Sequence, residues 1–322
     1  MRDRVKRRRR RRNPYAGLLH LLNQRYHAEF VRAELLQNDL TGLRSSKLAR
    51  AAEWLRLKLR RLFPHPAVAP KFITEKAEPY RGPTCAIPDA RVSIVIPFRD
   101  RPELLRNCLR SLRRSTFRQF EVMLVDNGSE DPRTARLLAR VGARSNVRIV
   151  NCPGAFNFSR LCNAGAAAAT GDHLLFLNND TEVLTRDWLE RLLALAADPA
   201  VGAVGATLLY PDRTIQHAGI LPRNDGMWVH PYRGHPADDP GEGGELRTVR
   251  SVPAITAACM LVRRDLFDSV GGFDEQFPVT LNDVDLCSRI RERGRLVVVT
   301  PHARLFHYEG LSRGYTIDPP TT

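Results

Sequence analysis

No apolar stretch of this 322-residue chain approaches the length needed to span a bilayer, so a membrane-embedded protein is not expected. The arginine-rich start lacks both the apolar core and the cleavage site of a signal peptide, which points to a protein made and kept in the cytoplasm. Cysteines are few: Cys85, Cys108, Cys152, Cys162, Cys259 and Cys287. They form no CxxC pair and no zinc-type spacing, and several lie in apolar context as small buried hydrophobes of a reducing compartment. There is no G-x-G-x-x-G and no G-x-x-x-x-G-K-[ST], so dinucleotide and P-loop readings lose their main support. The length suits one large α/β domain, or one domain with an appendage.

Acidic residues are scarce only at one end. The formal charge is +15, yet residues 1–65 hold 18 Lys/Arg against 5 Asp/Glu and account for +13 of it. The remaining chain is close to neutral, which argues against broad nucleic-acid binding. Residues 1–12 are mostly arginine and are expected to be disordered, either as a solvated tail or as an attractor of phosphate. Apolar residues then recur at helical spacing through Leu19, Leu22, Tyr26, Phe30, Ala33, Leu36 and Leu40, and again through Leu48, Ala51, Leu55, Leu59 and Leu62. The second helix carries Arg50, Arg56, Lys58, Arg60 and Arg61 largely off its apolar face, with Trp54 at the flank. That composition fits a helix lying on an anionic membrane, and equally a helix docked on the body.

Residues 66–90 are rich in proline without periodicity and read as a linker. From residue 91 the pattern changes to strand, helix, strand, helix. Apolar runs begin at Val92, Phe120, Val147 and Leu174, separated by amphipathic segments, which predicts a parallel sheet with right-handed crossovers. Each run ends in small or charged residues, where ligands bind in such sheets. The fourth, Leu174-Leu175-Phe176-Leu177, breaks into Asn178-Asn179-Asp180, and a carboxylate there is placed to carry a divalent cation against a phosphate. Further helices are expected over 187–195, 264–270 and from about residue 282, and strands over 201–209 and 296–299. Residues 210–245 lack regular pattern and are expected to form a functional loop or lid.

The pieces Val92-Ser-Ile-Val-Ile-Pro97, Leu124-Val-Asp-Asn-Gly-Ser129, Phe176-Leu-Asn-Asn-Asp-Thr-Glu-Val183, Gly271-Gly-Phe-Asp274, Asn282-Asp-Val-Asp-Leu-Cys287 and His307 occur in one order over two-thirds of the chain. Together they resemble the family-2 glycosyltransferases, most closely the branch that builds bacterial O-antigens and includes rhamnosyltransferases. The resemblance implies an α/β fold of the GT-A type over residues 91–314, with a Rossmann-like nucleotide-binding half. It leaves a basic helical extension over 1–65, the linker 66–90 and a tail at 315–322. It also implies an inverting transfer from a nucleotide-sugar to a hydroxyl of a glycan or lipid-linked acceptor, and the basic helices add an expected place at the inner face of the cell membrane.

Site roles follow from the same resemblance. Pro97, Phe98 and Arg99 would border the nucleotide, with Asn178 and Asn179, and Asp126 would hydrogen-bond base or ribose. An Asx-turn in Asp126-Asn-Gly-Ser129 is the ordinary structural alternative. Asp180 and His307 would hold Mn²⁺ or Mg²⁺, the imidazole favouring manganese. Asn178 stands where the family usually has an acid, a departure familiar in this branch. Asp283 would be the base, and Asp285, about 200° further round a helix, could not share its direction. Asn282 or Asp283 also suits a helix start, and a helix N-terminus is expected to lower the pKa of Asp283. The competing functions are a nucleotidyltransferase with a similar nucleotide-binding half, or a non-catalytic scaffold or nucleotide-binding relative.

Overall fold

A computed structural model of the chain describes Glu75 and residues 77–82 and 89–309. The two basic helices read over 1–65, the arginine-rich start and the 315–322 tail lie outside the described residues. A two-residue strand, Glu78–Pro79 (β1), comes first. The expected alternation follows: Val92–Phe98 (β2), Pro102–Leu112 (α1), Phe120–Asp126 (β3), Pro132–Gly142 (α2), Val147–Asn151 (β4), Phe158–Ala168 (α3) and His173–Leu177 (β5). β2 and β5 are buried along their whole lengths, as near-continuous apolar strands covered on both faces must be. Proline opens α1 and α2, where its missing N–H costs nothing. Asp131 caps α2 through the Arg133 amide, and Asn157 caps α3 through the Arg160 amide. On α1 the buried stripe is Leu105, Cys108, Leu109 and Leu112.

The second half contains Thr181–Val183 (β6), Trp188–Ala196 (α4), Val201–Leu209 (β7), Ile215–His217 (β8), Leu221–Pro222 (β9), Trp228–Val229 (β10), Arg250–Ser251 (β11), Cys259–Arg263 (β12), Arg264–Ser269 (α5), Asn282–Glu292 (α6) and Leu296–His307 (β13). The sheet runs β1-β11-β13-β7-β12-β5-β2-β3-β4. Its nucleotide half, β5-β2-β3-β4, is parallel as predicted. Beyond it β12 enters antiparallel between β5 and β7, so the whole sheet is mixed. Alternate residues of β2 face opposite ways: Ile94 and Ile96 join α1, α2 and Trp188 of α4 on one side, while Val95 joins Leu161 of α3 and Leu266 and Leu286 of α5 and α6 on the other. Gly165 permits this layering, because a Cβ there would lie 2.8 Å from Val125 Cγ2 and still closer to Val95.

Three expectations change. The last strand does not stop at residue 299. It continues to His307 through an irregularity between Thr300 and Arg304, where Pro301 has no N–H to give the ladder. Residues 210–245 are not a free loop or lid: β8 pairs with β7, Ile220 bridges Ala254, and β9 and β10 make a small hairpin. Pairings of two or three residues are too short to leave a periodicity in the sequence. The proline-rich segment, lastly, is not wholly a linker. β1 pairs with β11, Tyr80 Oη donates to Asp198 Oδ2 at 2.6 Å, and Glu75 forms an ion pair with Arg291. No helix among the described residues is long and apolar enough to cross a membrane.

Candidate active site

β5 delivers its polar sequel to the carboxyl edge of the sheet. The Asn178 amide donates to Ala258 O at 3.1 Å, and the Thr181 hydroxyl and amide close the turn on Asn178 O at 2.8 and 3.3 Å. β6 then pairs with the far end of β13, in a register that sets Thr181 opposite His307. The Tyr308 amide donates to Asp180 O at 3.0 Å. The long final strand thus brings the His307 imidazole to Asp180, with Nε2 3.3 Å from Oδ1, both residues being buried. Asn178 Nδ2 lies 3.2 Å from the same ring nitrogen. The other nitrogen, Nδ1, is 3.1 Å from Gln216 Oε1.

The pair fits a divalent cation. With the Nδ1 proton given to Gln216, Nε2 turns a lone pair toward a carboxylate oxygen. Two donors at about 2.1 Å from one ion and at right angles lie about 3 Å apart, close to the observed separation. Among the described residues no group of three or more His, Cys, Asp or Glu forms a metal cage. The described residues therefore offer Asp180 and His307, leaving the rest of a shell to ligand oxygens and water, as is usual for metals that bind with phosphates.

Asp283 lies at the second position of α6. The residue before the helix is Leu281, in the left-handed region at φ 63°, and no side chain caps the end, so neither Asn282 nor Asp283 is the cap expected from sequence. Asn282 instead donates to Phe277 O and Val279 O. Asp283 Oδ1 accepts from the Val284 amide at 2.9 Å and Oδ2 from the Ala257 amide at 3.4 Å. Burial raises the Asp283 pKa against these hydrogen bonds. That reverses the lowering expected from a helix N-terminus: desolvation of the carboxylate outweighs the helix-end amides, and the group becomes a stronger base. Asp285 points elsewhere, to Arg289, whose guanidinium also donates to Val270 O and Gly272 O, both at 2.7 Å. Its role is to fasten α6 to the turn at Gly271-Gly272.

At the ends of β2 and β3, Phe98 and Asp126 are register partners. Asp126 Oδ1 accepts from the Ser129 amide at 2.8 Å and hydroxyl at 2.7 Å, so the Asx-turn is present and engages that oxygen. Pro97 and Phe98 are buried, and the Phe98 ring belongs to the apolar cluster under α1, which leaves only its backbone for the cleft. Arg99 is exposed, 3.6 Å from Glu130. Asn179 is buried, with its Nδ2 lacking a hydrogen-bond partner.

Asn178, Asn179, Asp180 and His307 therefore converge. Asp283 reaches the same locus through 257–258, since Ala257 meets its carboxylate and Ala258 meets Asn178. Sequence reasoning missed Gln216, His217 and His230. His217 Nε2 accepts from the Thr256 amide at 3.4 Å, and its Nδ1 lies 3.1 Å from His230 Nδ1. Burial, with His230 and Arg250 nearby, pushes His217 well below the ordinary imidazole value; burial beside Arg233 brings His230 to about 4. Only the buried-looking Ile-Gln-His triplet could have signalled them.

Glycosyl transferase family 2 matches this chain over residues 93–271, the span from β2 to the turn after α5. The chain belongs to that family. Relatives of this family-2 domain include the O-antigen biosynthesis protein RfbC of Myxococcus xanthus, 41% identical over 69% of this chain and 18% of RfbC. Another is the N-acetylglucosaminyl-diphospho-decaprenol L-rhamnosyltransferase of Mycobacterium tuberculosis, 29% identical over 69% of this chain and 76% of the enzyme. An uncharacterized protein of Sinorhizobium fredii, y4gI, is 39% identical over 71% of this chain and 25% of its own length. The chain thus spans a quarter or less of y4gI and RfbC. Among solved structures, GalNAc-T7 with UDP, GalNAc and Mn²⁺ superposes with a TM-score of 0.57 at 17% identity, over 68% of this chain and 44% of that one. The mannosyltransferase PcManGT of Pyrobaculum calidifontis, with GDP-Man and Mn²⁺, gives 0.51 at 18%, over 92% and 70%. The family-2 domain has the GT-A fold that these structures share.

Proposed function

We propose that this family-2 domain is an inverting, metal-assisted glycosyltransferase. It moves a hexosyl or deoxyhexosyl group from a nucleotide-sugar to a hydroxyl of a lipid-linked or polysaccharide acceptor in bacterial cell-surface glycan synthesis. The observation that carries this reading is the Asp180–His307 pair at the carboxyl edge, joined through residues 257–258 to a desolvated Asp283. The relatives named for O-antigen synthesis and rhamnosyl transfer support the substrate class. The basic segment 1–65 supports attachment to an anionic membrane surface.

In this mechanism the ends of β2 and β3, with Asp126 and the backbone at Pro97, Phe98 and Arg99, border the nucleotide, and Asn178 and Asn179 border its phosphates. Asp180 and His307 hold Mn²⁺ or Mg²⁺, which when bound stabilises the charge that develops on a leaving diphosphate. Asp283, its pKa raised, takes the proton of the acceptor hydroxyl as that oxygen bonds to the anomeric carbon. The bond from that carbon to the diphosphate oxygen breaks on the opposite face, which inverts the centre. Calorimetry with UDP-, GDP- and dTDP-sugars in the presence of Mn²⁺ tests this reading. One donor should bind to the wild type and fail with Asp180→Ala; no binding of any donor would sink the proposal.

A further inference from the structure

Gln216 and His217 are consecutive residues of β8, the short strand in the region that looked irregular. Both are buried. Gln216 Oε1 receives Nδ1 of His307 at 3.1 Å, while His217 Nε2 receives the Thr256 amide at 3.4 Å and its Nδ1 contacts His230 at 3.1 Å. The next amide along, that of Ala257, is the one that meets Asp283 Oδ2. A three-residue strand therefore touches His307 directly and, through Thr256, the residue beside the amide that meets Asp283. β8 is itself fixed from behind, by pairing with β7 and by Arg250 Nη2 donating to Ala218 O at 2.7 Å.

We infer that β8 is the shared positioning element of the site: Gln216 decides which nitrogen of His307 is bare, and His217 holds the Thr256–Ala257 turn against Asp283. The inference rests on the glycosyltransferase reading, because it assigns these neighbours to a metal ligand and a base. A neutral imidazole has one protonated and one bare nitrogen, and an acceptor opposite Nδ1 selects the tautomer with Nε2 free for a cation. With two ligands among the described residues, a wrong tautomer removes half of them. On the other side, a neutral His217 can accept from Thr256 only while its own Nδ1 proton goes to His230, so the pair acts as one unit.

The test separates the two halves. Mn²⁺ affinity is read by electron paramagnetic resonance of the free ion, without turnover. Gln216→Leu should weaken it about 10- to 100-fold, the usual range for loss of such a partner. Gln216→Glu, which keeps an acceptor opposite Nδ1, should stay within a few-fold of wild type or bind more tightly. Gln216→Asn, too short to reach, replaces the leucine variant should that fail to fold. His217→Leu should leave Mn²⁺ affinity within about twofold. It should speed amide exchange at Thr256 and Ala257 several-fold, as loss of a hydrogen bond worth about 1 kcal/mol implies. It should also lower kcat for the sugar nucleotide that the wild type accepts, with KM unmoved. His217→Gln, which can place an oxygen near the Nε2 position, should recover part of that loss. Wild-type affinity in Gln216→Leu, equal losses in the leucine and glutamate variants, or a His217→Leu variant that loses Mn²⁺ as Gln216→Leu does would each overturn the inference. A wild type that binds neither Mn²⁺ nor any sugar nucleotide would instead overturn the glycosyltransferase reading itself.

Discussion

Asp283 is a carboxylate that folding makes less acidic, and the sign of that shift has consequences beyond catalysis. Its folded pKa lies above the ordinary 3.8, so between those two values the folded chain holds a proton that the unfolded chain has released. Stability at this residue is therefore full below pH 3.8 and is lost as pH rises through the folded value. Asp283→Asn should raise the melting temperature at pH 7 relative to wild type, and should give no such gain near pH 3. The same substitution should lower kcat at least 100-fold, the scale of general-base assistance. Thermal scans at the two pH values and a single kinetic comparison check both halves; a variant with full activity would remove Asp283 as the base. The histidines behave oppositely. His217 and His230 are depressed by burial, so the unfolded chain binds protons from pH 6.5 downward that the folded one refuses, His230 until about pH 4. Stability should fall with pH through that window, and His230→Leu should flatten the fall in an acid denaturation series. The carboxylate itself was legible in Asn282-Asp283-Val284-Asp285. Its environment was not, because the burial that outweighs the helix-end effect comes from tertiary packing, and the opposing hydrogen bonds from Thr256 and Ala257 also reach it from residues remote in sequence.

Helix α3 shows how an element's propensity and its packing disagree. Replacing Gly165 by alanine in a helix interior gains about 1 kcal/mol of propensity. The added methyl, however, would meet side-chain carbons of Val95 and Val125, at 2.8 Å for the latter, on two buried strands. Overpacking of that kind costs about 1–3 kcal/mol, so packing wins. Gly165→Ala should lower the melting temperature by a few degrees, and Val125→Ala should recover part of the loss in the double variant. Elements of the first half were legible because each strand is mainly apolar and each helix amphipathic, both of which are local patterns. The antiparallel entry of β12, the two-residue strands β1 and β11, and the stretch of β13 beyond Pro301 were not legible, since their existence depends on partners far along the chain. His307 is the telling case. Its residue type and place suggested a ligand, but only the β6–β13 register brings it beside Asp180.

At the scale of the whole molecule the charge is divided: residues 1–65 carry +13 and the rest of the chain +2. Attraction to an anionic bilayer should follow that division. Each Lys or Arg held near such a surface contributes about 1 kcal/mol, so engaging even four of the 18 would strengthen binding about 1,000-fold. The family-2 domain is tied to the preceding chain through β1, Tyr80 and Glu75, all of which follow residue 65. Deleting residues 1–65 should therefore leave the domain's melting temperature and donor affinity unchanged while releasing it from phosphatidylglycerol vesicles in a sedimentation assay. Binding of the full chain should weaken steeply between 0.1 M and 1 M salt, where the screening length drops from about 10 Å to about 3 Å. If the shortened chain still sediments with the vesicles, the contact lies on the family-2 domain, and the role given to the basic segment falls. If the full chain sediments equally with neutral vesicles at high salt, the apolar faces of that segment, and not its arginines, carry the attachment.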